Sequence, residues 1–286
     1  MKYFSQIFII ILLLNILGCD NQSEDQLKST NSSETELIKE EFKNFFYLIP
    51  SPIETASLIK KTGVGYERDF LNPVQNVNNY ETAKSRAINL GIYAADLSVA
   101  VIFDETQEAM LFLSSCKKLC DQLGIAEAFS SSTIERIEAN TNDKDSLSIL
   151  ITDSYWQTDV YMKENGLPHL SSLIVCGAWI EGLYLALNLQ EKTPNDLLLQ
   201  RIAEQKYSIE HILAILKEDL SDDKINDIYT EILDLNLSFE KIKSIKIEPN
   251  TKSNVIGDVA KLDMEGDVLL EIMDKTIKIR TNFINS

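Results

Sequence analysis

Two carboxylates occupy positions where acids are rare. Asp96 is the single charged residue of the apolar run from Ala87 to Phe103, and Glu181 that of the run from Leu173 to Leu187. An ionised acid in such surroundings is costly unless it is paired or hydrogen-bonded. Each must therefore have a partner, a raised pKa or water beside it. Three roles fit these residue types. The pair could serve as a general acid and base. It could form the polar floor of a ligand pocket lined by Tyr93, Trp179 and Tyr184. It could also accept hydrogen bonds from buried Tyr or Arg side chains, for which Arg86, Arg136 and Arg201 are the candidates.

Cys19 offers a different chemistry. Met1-Lys2 gives a short positive start, an apolar run follows from Ile7 to Leu14, and Ile16-Leu17-Gly18 leads directly into the cysteine. This is the pattern of a cleaved export signal, too short to span a bilayer alone. A small residue followed by Cys is the lipobox of bacterial lipoproteins, in which the thiol receives a diacylglycerol and the new N-terminus a palmitate-type chain. Residues 1–18 are expected to be removed, and 19–36, nearly free of apolar side chains, to form an acidic, disordered tether. The expected folded body runs over 37–286.

The other thiols promise less. Cys116 and Cys120 share one helical face with Ala109, Leu113 and Leu123, which points them into a core. With two histidines in the chain, His169 and His211, neither at ligand spacing, no metal site or cofactor is expected. Asp153, on the helix expected at 143–164, could join a carboxylate cluster, but its place in the pattern is a solvated face. Ser114-Ser115-Cys116-Lys117 and Lys61-Thr62-Gly63 reproduce two penicillin-binding-protein motifs in reversed order, without the third, so they carry no expectation.

The elements that must position these residues read as helices. Ser51-Pro52-Ile53-Glu54 is a capping box with Pro at the first helical position, and Thr193-Pro194-Asn195-Asp196 repeats the device. Asp104 with Gln107 and Ser208 with His211 mark further starts, and Asn142 reads as a cap, while Gly63, Gly124 and Asn165-Gly166 mark ends. Ten helices result, over 52–62, 80–103, 105–122, 130–139, 143–164, 168–189, 194–205, 209–219, 222–245 and 266–284, with one short ribbon from 244–248 and 254–264. The expected class is all-α, a multi-helix bundle around two central helices that are apolar on every face. Each central helix also approaches the length of a membrane span, but its carboxylate and its lack of basic flanks argue for burial. Aligning Gly91 on Gly177 also aligns Tyr93 with Trp179 and Leu97 with Leu183. This suggests two related halves, 45–124 and 125–245, packed through their glycines.

Forty-four acidic against 27 basic residues give a net charge of −17. That excess repels phosphate backbones, so no nucleic-acid partner is expected. The expected partners are a membrane, through the lipid on Cys19, and an envelope protein or a small ligand.

The runs Ile49-Pro50-Ser51-Pro52-Ile53-Glu54, Asn89 to Leu97, Thr133-Ile134-Glu135-Arg136 and Gly177 to Gly182 resemble a family of uncharacterised lipoproteins of Bacteroidetes-type bacteria. The likeness covers most of 45–245 and fades over the C-terminal 40 residues. It implies a lipoprotein of the envelope with a helical body, and it carries over no activity, ligand or catalytic residue; the first expectation is a non-catalytic binding or scaffolding module. The alternative is a helical enzyme or small-ligand receptor that uses Asp96 and Glu181.

Overall fold

Local signals account for most helix ends. A computed structural model describes residues 49–127, 135–137, 139–140, 143–220, 225–246 and 260–286. The expectations for the signal, the lipidated Cys19, the tether and the start of the body concern residues 1–48 and lie outside the described residues, as do Asn142 and most of the helix expected at 130–139. Helix α1 (Pro52–Lys61) begins at the expected capping box: Ser51 N–H donates to Glu54 Oε2 at 2.8 Å while Glu54 N–H donates to Ser51 Oγ. Two 3-10 turns, Arg68–Phe70 and Val74–Asn78, lead to α2 (Ala83–Ile102). Thr82 caps α2 through Ser85, so it starts three residues later than expected.

Helix α3 (Thr106–Leu123) ends at Gly124, whose φ of 73° is the left-handed conformation that glycine adopts without strain. Next come α4 (Lys144–Glu164), capped by Asp143, and α5 (Pro168–Lys192). The helices expected at 194–205 and 209–219 are one helix, α6 (Asp196–Glu218). Ser208 does not cap anything; it is buried mid-helix on a stripe, with Ile202, Ile209, Ile212 and Leu216, that runs unbroken through it. The cap of α6 is Asn195, which accepts from Leu198 N–H at 3.0 Å, with Pro194 just outside. Helix α7 (Asn226–Phe239) is shorter than the expected 222–245 because the chain turns into β1 (Lys243–Lys246). This strand pairs antiparallel with β2 (Ala260–Asp263), Lys243 opposite Asp263, and α8 (Gly266–Ile284) closes the chain.

The architecture is all-α, with that two-stranded ribbon as the exception among the described residues. Residues Leu48–Ser286 form one compact unit. Its axis is the α2–α5 pair, each apolar all round, and the other helices pack around it. Among the described residues these two are long and apolar enough to cross a membrane by length and composition, and both are almost wholly covered by their neighbours.

Two glycines set the spacing of that pair. A Cβ at Gly91 would stand 2.0 Å from the Ile174 carbonyl oxygen, and one at Gly177 would stand 2.1 Å from that of Ile88. The helices therefore cross backbone to backbone, each glycine against the other chain segment. Amphipathic α3 packs on α2 and α6 on α5.

Candidate functional site

The α2–α5 crossing brings Asp96 and Glu181 together, both at 0% exposure. Their partner comes from α8. Arg280, 7% exposed, donates to Glu181 through Nε at 2.9 Å and Nη2 at 3.0 Å, a two-pronged charge-assisted pair. Its Nη2 also donates to the Phe70 carbonyl at 3.2 Å, and its guanidinium lies over the Tyr184 ring, 4.3 Å from the centroid. Every partner expected from the sequence is occupied elsewhere or exposed. Arg86 donates to the Tyr80 carbonyl, Arg201 pairs with Glu204 and Arg136 is exposed.

Asp96 is held from the other side by the loop between the 3-10 turns. Buried Asn72 donates its backbone N–H to Asp96 Oδ2 at 3.1 Å and its side-chain amide to Tyr80 Oη at 2.9 Å, and it accepts from Asn76 at 2.8 Å. Asp96 Oδ1 receives no donor from the described residues. Burial, reinforced by the Glu181 carboxylate, raises the Asp96 pKa well above the usual range, against weaker pulls from Arg280 and Asn72. Burial therefore favours the neutral form of Asp96, while Glu181 faces the Arg280 guanidinium. Burial disfavours charge on Arg280, but Glu181 outweighs it and the guanidinium stays firmly protonated.

The aromatic residues expected to line a common pocket separate. Tyr184 belongs to the cluster through Arg280. Tyr93 is fully buried, donates to the Pro73 carbonyl at 3.0 Å and makes tilted ring contacts with Tyr80 and Phe112. Trp179 donates to Gln205 at 3.0 Å and borders a different cleft of about 30 Å³ near Gly182. Neither Asp96 nor Glu181 lines that cleft or the two larger ones, of about 50 and 180 Å³. Asp153 is exposed. Cys116, Cys120 and Cys176 are buried and free, and burial raises all three thiols, Cys120 to about 12. No group of three metal-ligating side chains occurs among the described residues.

Arg280 and Asn72 are the residues that the sequence reading missed. Arg280 did leave a trace. On α8 it falls on the apolar stripe of Val268, Ile272, Met273, Thr276, Ile279 and Phe283, a place where a basic residue needs a buried acid. Chemically, the arrangement fixes three helices and a loop around one buried ion pair and a second buried acid held by a backbone N–H. No family model matches the chain, and no curated protein or solved structure is detectably similar to it.

Proposed function

We propose that this chain is a lipid-anchored protein of the bacterial cell envelope whose helical body is a binding or scaffolding module rather than a catalyst. The anchor rests on the run Ile16-Leu17-Gly18-Cys19 behind a charged start and an apolar stretch. Two or more acyl chains on Cys19 give stable membrane attachment, since each buried CH₂ contributes about 0.8 kcal/mol. The resemblance of four short runs to envelope lipoproteins points the same way.

The observation that carries the non-catalytic reading is the enclosure of Asp96 and Glu181. An acid–base pair must touch its substrate. Here both carboxyl groups are at 0% exposure, Glu181 paired with Arg280 through both oxygens and Asp96 held by the Asn72 N–H. The test is mass spectrometry of the membrane-extracted protein: a diacylglyceryl group on Cys19 is expected, and Cys19→Ala should leave an unacylated precursor. An unmodified Cys19 in the native protein refutes the anchor.

A further inference from the structure

The roomiest of the described clefts lies away from the carboxyl cluster, where the end of α2 meets the starts of α3 and α4. It holds about 180 Å³ of free space, against about 50 Å³ for the apolar cleft between α1 and α4. For scale, an engineered apolar cavity of roughly 150 Å³ accepts benzene. Leu97 and Val101 of α2, Ala109 and Leu113 of α3, and Leu147 of α4 make its floor. Asp104 and Lys144 stand at its rim.

The rim is fixed by the backbone. Asp104 is the one non-glycine residue with positive φ (67°) among the described residues, and it ends α2: its N–H donates to Val101 O, and the next N–H, of Glu105, donates to Ala100 O at 2.8 Å. The chain reverses there and sets the Asp104 carboxylate at the cleft mouth. Two cations meet that one anion. Lys60 lies 3.0 Å from Asp104 Oδ2, also donates to the Ile102 carbonyl and covers the Phe103 ring, so it is fully engaged. Lys144 stands 3.6 Å from the same oxygen, beyond a good hydrogen bond, and its side chain is 36% exposed. Of the two acids that flank it in sequence, Asp143 is committed to Ser146 as the cap of α4, and Asp145 is exposed in the first turn. Lys144 therefore has donors to give, directly above an apolar floor.

We propose that this cleft binds a small carboxylic acid with an apolar tail, the tail on the Leu97–Leu113–Leu147 floor and the carboxylate on Lys144. A ligand ammonium is disfavoured, because Asp104 already faces two cations and a third would be repelled. An uncharged tail gains the floor but not Lys144. This site is separate from the carboxyl cluster and independent of the lipid: an absent acyl group on Cys19 leaves it standing, and its own failure leaves the anchor standing.

Calorimetric titration of the purified full-length protein with octanoate, octanol and octylamine, each below its micellar concentration, tests the assignment. Octanoate should saturate one site per chain and bind about tenfold tighter than octanol, the increment expected of one charge-assisted hydrogen bond. Octylamine should bind no better than octanol. Lys144→Met keeps the stem of the side chain and should remove the preference for octanoate while octanol binding is unchanged. Ala109→Phe fills the floor and should weaken octanoate and octanol alike; Lys144→Met, at a partly exposed position, serves if that variant does not fold. Absence of saturable octanoate binding, equal or tighter binding of octylamine, or octanoate binding indifferent to Lys144→Met would each overturn the proposal.

Discussion

At the scale of single residues, the Asp96 proton makes the sharpest prediction. The folded state holds this proton to a pH well above the value near 3.9 at which an unfolded Asp releases it. Its contribution to stability is fully present below that unfolded value and is lost as pH rises toward the folded pKa, at up to about 1.4 kcal/mol per pH unit. Asp96→Asn, an amide in place of a neutral acid, should keep the fold and flatten this decline. Urea denaturation of both proteins between pH 4.5 and 7.5 reads the difference directly; parallel pH profiles would mean that Asp96 does not carry the proton. Arg280→Met behaves in the opposite way. It strands the Glu181 carboxylate at 0% exposure and should cost about 3 to 5 kcal/mol. Pairing it with Glu181→Leu should recover much of that loss, since an apolar pair needs no desolvation. If the double variant is as unstable as Arg280→Met alone, the stranded charge is not the cause.

At the scale of elements, the α2–α5 crossing is governed by two glycines and a third contact of another kind. Gly91→Ala and Gly177→Ala push a methyl group into opposing backbone, which has no rotamer to yield, so each should cost at least about 1 to 3 kcal/mol. Gly182 differs, because its Cβ would stand 2.9 Å from Thr55 Cγ2, a side-chain methyl on α1. Gly182→Ala should cost less, and Thr55→Ser, which deletes that methyl, should relieve it. Thermal melts of the four variants rank these contacts; a harmless Gly91→Ala would show that the helices do not cross at backbone distance. The glycines were legible as sequence because they interrupt apolar helices that have no other reason to contain them. The continuity of α6 was not. Ser208 with His211 has the form of a helix start, and only the stripe buried against α5 and α7 overrides it.

At the scale of the whole molecule, the last helix locks the centre. Ending the chain after Glu265 removes α8 and Arg280 together, and leaves Glu181 charged and unpaired between α2 and α5. Circular dichroism of such a chain should show no cooperative thermal transition, whereas the intact protein should melt in one step. A truncated chain that unfolds cooperatively near the intact melting temperature would show that α8 merely decorates the bundle. The three buried thiols report the same cooperativity: Cys116, Cys120 and Cys176 should resist alkylation in the native protein and react together once denaturant unfolds it.

By itself the sequence determined the helical class, the burial of the two apolar helices, the capping box at Ser51 and the oddity of Asp96 and Glu181. All of these follow from periodicity or residue type within a few turns of chain, where the 3.6-residue repeat and the cost of burying charge act locally. It also carries the Leu17-Gly18-Cys19 run that motivates the proposed anchor. Only the tertiary structure decided which partners the acids take. Arg280 lies 99 residues beyond Glu181, and Asn72 lies 24 residues before Asp96 on a loop without regular periodicity. Nothing local links those positions, because an ion pair needs proximity in space and sequence separation says nothing about it. The Lys144–Asp104 rim was hidden for the same reason: its charges come from different helices, and the left-handed turn at Asp104 that aims one at the other is fixed by the packing of α2 against α3.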